Sequence, residues 1–143
     1  MNPSIRLPNL EALTVLGAVT VNIPVIFRER EVGGILALTG AKSIVVPDDF
    51  RGFDFPAMGR DMSDDCPNLS HVFVVEGGSA NSYEFAARNN DRLSVTTYTE
   101  LIREPETSPG TRDDLLALKP SVDDMTALGF TSGTTGGLKG AIH

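Results

Sequence analysis

Short apolar runs alternate with amphipathic stretches along the chain, and glycine and proline punctuate the boundaries between them. Val19 to Ile23 reads as a strand closed by Pro24. Val32, Ile35, Leu36 and Thr39 then recur at i, i+3, i+4 and i+7, which marks one face of a helix, and Gly40 stands where that helix should stop. Ser43 to Pro47 is a second apolar strand, so the three elements predict a strand-helix-strand crossover within one parallel sheet. Gly33 and Gly34 weaken the intervening helix by about 0.5–1 kcal/mol each, or else allow it to pack closely on the sheet. Asp54 is placed to cap a helix with Pro56 in its first turn and Phe55, Met58 and Met62 facing inward. His71 to Val75 predicts the next strand, and Gly77-Gly78-Ser79 a turn.

Beyond that turn the pattern weakens. Residues Asn81 to Arg103 read as a short helix, a strand near Leu93 to Thr96 and another short helix; Glu104 to Gly110 reads as a surface loop. Thr111 is positioned to cap a helix from Asp113 to Leu118, and Met125 to Phe130 forms a final apolar strand. Alternation of this kind, without internal repeat or low-complexity tract, places the chain in the α/β class: a partial, mostly parallel sheet with crossover helices.

The final strand leads into the segment with the most specific chemistry. Thr131, Ser132, Thr134 and Thr135 supply four hydroxyls, Gly133, Gly136, Gly137 and Gly140 allow backbone amides to curl into an anion nest, and Lys139 adds a compact positive charge. These groups suit phosphate oxygens. The P-loop pattern G-x-x-x-x-G-K-[ST] is not met, because Leu138 precedes Lys139 and Gly140 follows it, and G-x-G-x-x-G is also absent. A plain solvated tail rich in Gly, Ser and Thr is the bland alternative, but an apolar strand running into a glycine-rich turn is a binding-site arrangement. An unrelated small phosphotransferase would need a general base or magnesium carboxylate beside the loop, and neither is visible.

Leu128 to Gly140, read as Leu-Gly-Phe-Thr-Ser-Gly-Thr-Thr-Gly-Gly-Leu-Lys-Gly, resembles the AMP-binding signature of the adenylate-forming superfamily, which includes acyl-CoA synthetases, aryl-CoA ligases, peptide synthetase adenylation domains and luciferases. Leu138 stands where that signature usually has proline. Leu7-Pro8-Asn9, Gly17-Ala18-Val19 with Asn22-Ile23-Pro24, Phe27 to Val32 and Val46 to Asp54 follow in the order of the family's N-terminal domain, and the Arg-Glu-Arg-Glu block is similar to the branch of cyclohexanecarboxylate-type, medium-chain and aryl acid ligases. Only seven residues, Leu10 to Leu16, separate the first two blocks, about two helical turns, whereas the family has a longer helix there.

The resemblance implies an N-terminal subdomain of an adenylate-forming enzyme, with residues 1–143 as a single partial AMP-binding domain. It implies an AMP-forming acid–CoA ligase that uses ATP, magnesium carried with the nucleotide, a small carboxylic acid and CoA. Thr131, Ser132, Gly133, Thr134, Thr135, Gly136, Gly137 and Lys139 would then hold the triphosphate, with no catalytic or metal-ligating residue assigned in this chain. The family's adenine-binding, magnesium-binding and hinge motifs and its catalytic lysine are missing, so the resemblance further implies a fragment inactive on its own; the competing expectation is a non-catalytic nucleotide-binding or remnant protein.

Composition adds exclusions. A net charge of −7 argues against broad attraction to nucleic acid. Cys66 is the only cysteine, which rules out an intramolecular disulfide, and no apolar run reaches the length of a membrane span or a signal core. A cytoplasmic setting is the default expectation. Arg28-Glu29-Arg30-Glu31 and Asp61 to Asp65 read as solvated helix surface, and His71 as a structural residue at a strand edge.

Overall fold

A computed structural model describes residues 13, 16–77, 92–103, 112–117, 120–121, 123–132 and 138–142. The chain divides into two compact units, one formed by Met1–Ile23 with Glu106–His143 and the other by Pro24–Pro105.

The second unit carries a parallel sheet of β2 (Ser43–Pro47), β5 (His71–Val75) and β6 (Ser94–Thr97) in that spatial order, with Ile44 opposite Val72 and Val72 opposite Val95. Helix α1 (Glu29–Thr39) forms despite Gly33 and Gly34 because it buries Val32, Ile35 and Leu36. Each such side chain contributes roughly 1.5–3 kcal/mol, more than the two glycines cost. Gly33 does not serve close approach to the sheet: a Cβ there would meet only Met62 Sδ at 3.9 Å. The helix ends where its C-cap, Gly40, takes φ of 62°, a conformation other residues resist.

Helix α2 (Phe55–Asp61) begins as its sequence predicts. The Asp54 carboxylate accepts the Ala57 N–H at 2.8 Å, Pro56 sits in the first turn, and Phe55, Met58 and Met62 are buried. It joins β2 to β5, so the parallel crossover is β2–α2–β5. The predicted crossover from the first strand through α1 is not formed within one sheet, because β1 (Thr20–Asn22) pairs with β7 (Ala127–Ser132) instead of β2. The hydrophobic period encodes the strands; it carries no information on which distant strand completes each ladder.

Between β2 and α2 lies a tight antiparallel hairpin of β3 (Asp49–Phe50) and β4 (Phe53–Asp54). Its two turn residues, Arg51 and Gly52, have φ of 58° and 77°, the signs a type I′ hairpin turn requires. Arg28 ties this hairpin to the start of α1, its guanidinium 4.3 Å from the Phe53 ring centroid and 5.3 Å from that of Phe55. The two rings meet edge to face at 4.8 Å. The Glu31 carboxylate accepts the Arg28 N–H at 3.3 Å. The Arg-Glu-Arg-Glu block is therefore a helix start and a packing element, not only solvated surface. Likewise Met62 and Ser63 are buried while Asp61, Asp64 and Asp65 are exposed.

Two polar devices close the sheet's ends. The buried Asp48 carboxylate accepts N–H bonds from Asp49 at 2.7 Å and Gly77 at 2.9 Å, holding the residues that follow β2 and β5 together. At the start of helix α3 (Tyr98–Arg103), the Glu100 carboxylate accepts from both the N–H and the hydroxyl of Thr97, each at 2.9 Å. Those bonds, the backbone one first, hold the Glu100 carboxyl below the usual carboxylate range. His71 is exposed and stacked on Phe73 at 5.9 Å, in keeping with a structural role.

The first unit holds a mixed sheet in the order β1–β7–β8, where β8 is Leu138–Ile142, and a short helix α4 (Arg112–Ala117). β1 runs parallel to β7, and the hydroxyl of Thr20 adds a 3.3 Å bond to the Thr126 carbonyl. All buried hydrophobic side chains among the described residues lie between Val32 and Leu93, in the other unit. No helix among the described residues is long and apolar enough to cross a membrane. The expected turn at Gly78-Ser79, the helix from Asn81, the loop from Glu104 to Gly110 and the Thr111 cap lie outside the described residues.

Candidate functional site

The hydroxyl- and glycine-rich segment begins and ends on two antiparallel strands. β7 runs from Ala127 through Phe130 into Thr131 and Ser132, and β8 begins at Leu138. The strand thus extends two residues past the apolar run that predicted it. Threonine suits a pleated strand, and pairing with β8 satisfies backbone groups that sequence reasoning had assigned to the loop. The ladder sets Ser132 opposite Leu138, Thr131 opposite Lys139, Phe130 opposite Gly140 and Gly129 opposite Ala141.

Three of the eight predicted phosphate-binding residues, Thr131, Ser132 and Lys139, therefore stand on the two strands immediately flanking the turn, and the register brings residue 131 across from residue 139. Gly133, Thr134, Thr135, Gly136 and Gly137, which connect the strands, lie outside the described residues, as does His143. The hairpin sits beside β1, whose three residues pair in parallel with Ala127, Leu128 and Gly129, so β7 is held by a ladder on each edge.

One feature of the hairpin was not foreseen. A Cβ at Gly140 would lie 3.3 Å from Cε1 of Phe130, closer than carbon atoms normally pack, and 3.6 Å from Cζ, whereas a Cβ at Gly129 would meet nothing within 4 Å. An aromatic residue and a glycine on adjacent antiparallel strands are the sequence signal for such a pair, but it becomes readable only once the register is known.

Burial pushes the Cys66 thiol pKa up, and the adjacent Asp65 carboxylate raises it further, which disfavours the thiolate a nucleophile requires. Its Sγ lies 3.8 Å from the Gly33 carbonyl. Among the described residues no three of His, Cys, Asp or Glu come together in a way that could hold a metal ion.

Comparison with known proteins gives a consistent picture. The family profile described as AMP-binding enzyme matches residues 10–143. The 2-hydroxy-7-methoxy-5-methyl-1-naphthoate–CoA ligase of Streptomyces carzinostaticus is 35% identical over 49 residues, which make up 34% of this chain and 9% of that protein. Among solved structures, the anthranilate CoA ligase AuaEII, crystallised with anthranoyl-AMP, is similar over 94% of this chain with a TM-score of 0.62 and 25% identity; the match takes in 21% of that chain. The chain spans about a fifth of the length of that ligase.

Proposed function

The chain belongs to the AMP-binding enzyme family, and we propose that its β7–β8 hairpin is the triphosphate-holding element of an AMP-forming carboxylic acid–CoA ligase. The observation that carries this reading is the register of the strand pair, which sets a hydroxyl-bearing residue, Thr131, opposite the one cation of the segment, Lys139, on the two strands that flank the glycine- and threonine-rich sequence. Residues 1–143 are read as part of one AMP-binding domain.

In the reaction so assigned, a carboxylate oxygen attacks the α-phosphorus of ATP while the bond to the bridging oxygen of the β-phosphate breaks, releasing pyrophosphate and leaving an acyl-adenylate. A CoA thiol then displaces AMP to form the thioester. Negative charge accumulates on the departing pyrophosphate, so preorganised N–H, hydroxyl and ammonium donors around it lower the barrier. Thr131, Ser132, Gly133, Thr134, Thr135, Gly136 and Gly137 would wrap the phosphates, and Lys139 would neutralise a terminal one. Magnesium would be carried on the phosphate oxygens of the nucleotide. Both named relatives act on aromatic acids, which makes aryl carboxylic acids the first panel to try.

Calorimetric titration of the chain with Mg-ATP tests the reading. Binding is expected, and Lys139→Ala should weaken it by about tenfold or more, the effect of losing one charge-assisted contact. A folded chain that takes up no ATP, or whose affinity ignores Lys139→Ala, would overturn it.

A further inference from the structure

We propose that Phe130 and Gly140 form a register lock that positions the phosphate-binding residues; the inference rests on the phosphate-loop reading above. The ring of Phe130 crowds position 140, with the nearest ring atom 3.3 Å from where a Cβ would be. One ladder position earlier the constraint disappears, since a Cβ at Gly129 is unopposed. The close approach is therefore specific to the Phe130–Gly140 pair and not a general property of the hairpin.

A glycine inside a strand is costly and contributes no packing of its own. An aromatic side chain lying across it from the partner strand restores that packing and pins the register. Here the pinned pair is the ladder neighbour of Thr131 and Lys139, which is in turn the neighbour of Ser132 and Leu138 at the turn. A one-residue slip of β8 would put Leu138 or Gly140 opposite Thr131 and move Lys139 off that register position. A side chain at position 140 would require the ring to shift by a few tenths of an ångström, so Phe130 and Gly140 act on the nucleotide through Thr131 and Lys139 without touching it. They are positioning residues.

Four variants and two readouts test the lock. Gly140→Val should lower Mg-ATP affinity about tenfold, comparable to losing the lysine contact, and should abolish the cross-strand NOEs that connect residues 131 and 139. Combining it with Phe130→Ala, which vacates the space, should return most of the affinity and the NOEs. Phe130→Tyr and Gly129→Ala should behave as the parent chain. The urea midpoint of the 24–105 unit should stay put throughout, separating a local register effect from general destabilisation. Gly140→Val with intact NOEs, or with lost NOEs and undiminished affinity, would sink the lock while Lys139→Ala still reported the phosphate site. A parent chain that binds no ATP would sink the phosphate reading itself and leave the pair nothing to position.

Discussion

Gly59 offers the sharpest test of how the Pro24–Pro105 unit is packed. It lies in α2 directly over Val72 of β5, and a Cβ there would fall 3.2 Å from both Cγ1 and Cγ2 of that valine. Carbon atoms pack optimally near 3.5–4.0 Å, so replacing Gly59 by alanine requires something to move by at least about 0.3 Å. Val72 is the wrong residue to ask. It is fully buried, it belongs to the central strand with ladders to β2 and β6 on either side, and its branched side chain has few rotamers to choose from. Overpacking of this kind costs about 1–3 kcal/mol, against which alanine gains roughly 0.5–1 kcal/mol of helix stability. The expected net is a loss of about 1 kcal/mol. With a urea m-value of about 1–3 kcal/mol per molar, that loss lowers the midpoint by roughly half a molar unit. Val72→Ala alone should cost about 2 kcal/mol as a cavity, yet the double variant should be better than additive by about 1 kcal/mol, since the shortened residue 72 makes room for the new methyl group. A neutral or stabilised Gly59→Ala chain, or a strictly additive cycle, would refute the packing described here.

Two further outcomes follow from local geometry. Arg51 occupies a left-handed conformation that costs a non-glycine residue about 1–2 kcal/mol, only partly offset by the guanidinium 5.3 Å from the Phe50 ring. Arg51→Asn should therefore stabilise the unit by about 0.5 kcal/mol, read as a higher urea midpoint, and a lower one would show that the ring contact outweighs the strain. Because the Glu100 carboxyl is held lower in the folded chain than in the unfolded one, its contribution is present above the ordinary carboxylate pKa and disappears as pH falls through the lowered folded value. The Thr97 amide resonance should report that loss in an acid titration, and Glu100→Gln should remove the transition; an unchanged titration in the glutamine variant would assign it elsewhere.

Much of this was legible from sequence because the signals were local. The helix face of Val32, Ile35 and Leu36, the Gly40 stop, the Asp54 cap and the strands at residues 43–47 and 71–75 all depend on neighbours within a few positions, where period and capping chemistry operate. The β3–β4 hairpin escaped notice because an Arg-Gly turn is not among the usual I′ pairs, and its stabilising partner, Arg28, is more than twenty residues away. The partnership of β1 with β7 spans over a hundred residues, and no periodicity reports it. For the candidate site, residue types indicated phosphate chemistry, but the division between strand and turn, and hence the placement of Thr131, Ser132 and Lys139 on the ladder, required the β8 register.

The division of the chain into two compact units decides how a nucleotide should be looked for. A ligand raises an apparent melting temperature only when the cooperative transition being watched also dismantles its pocket. A dye-based heat scan that follows the opening of the Val32–Leu93 interior watches one unit, whereas the hairpin belongs to the other. Unless both halves come apart together, a saturating nucleotide would leave such a scan flat, and a reporter on the hairpin's own amides is the appropriate detector.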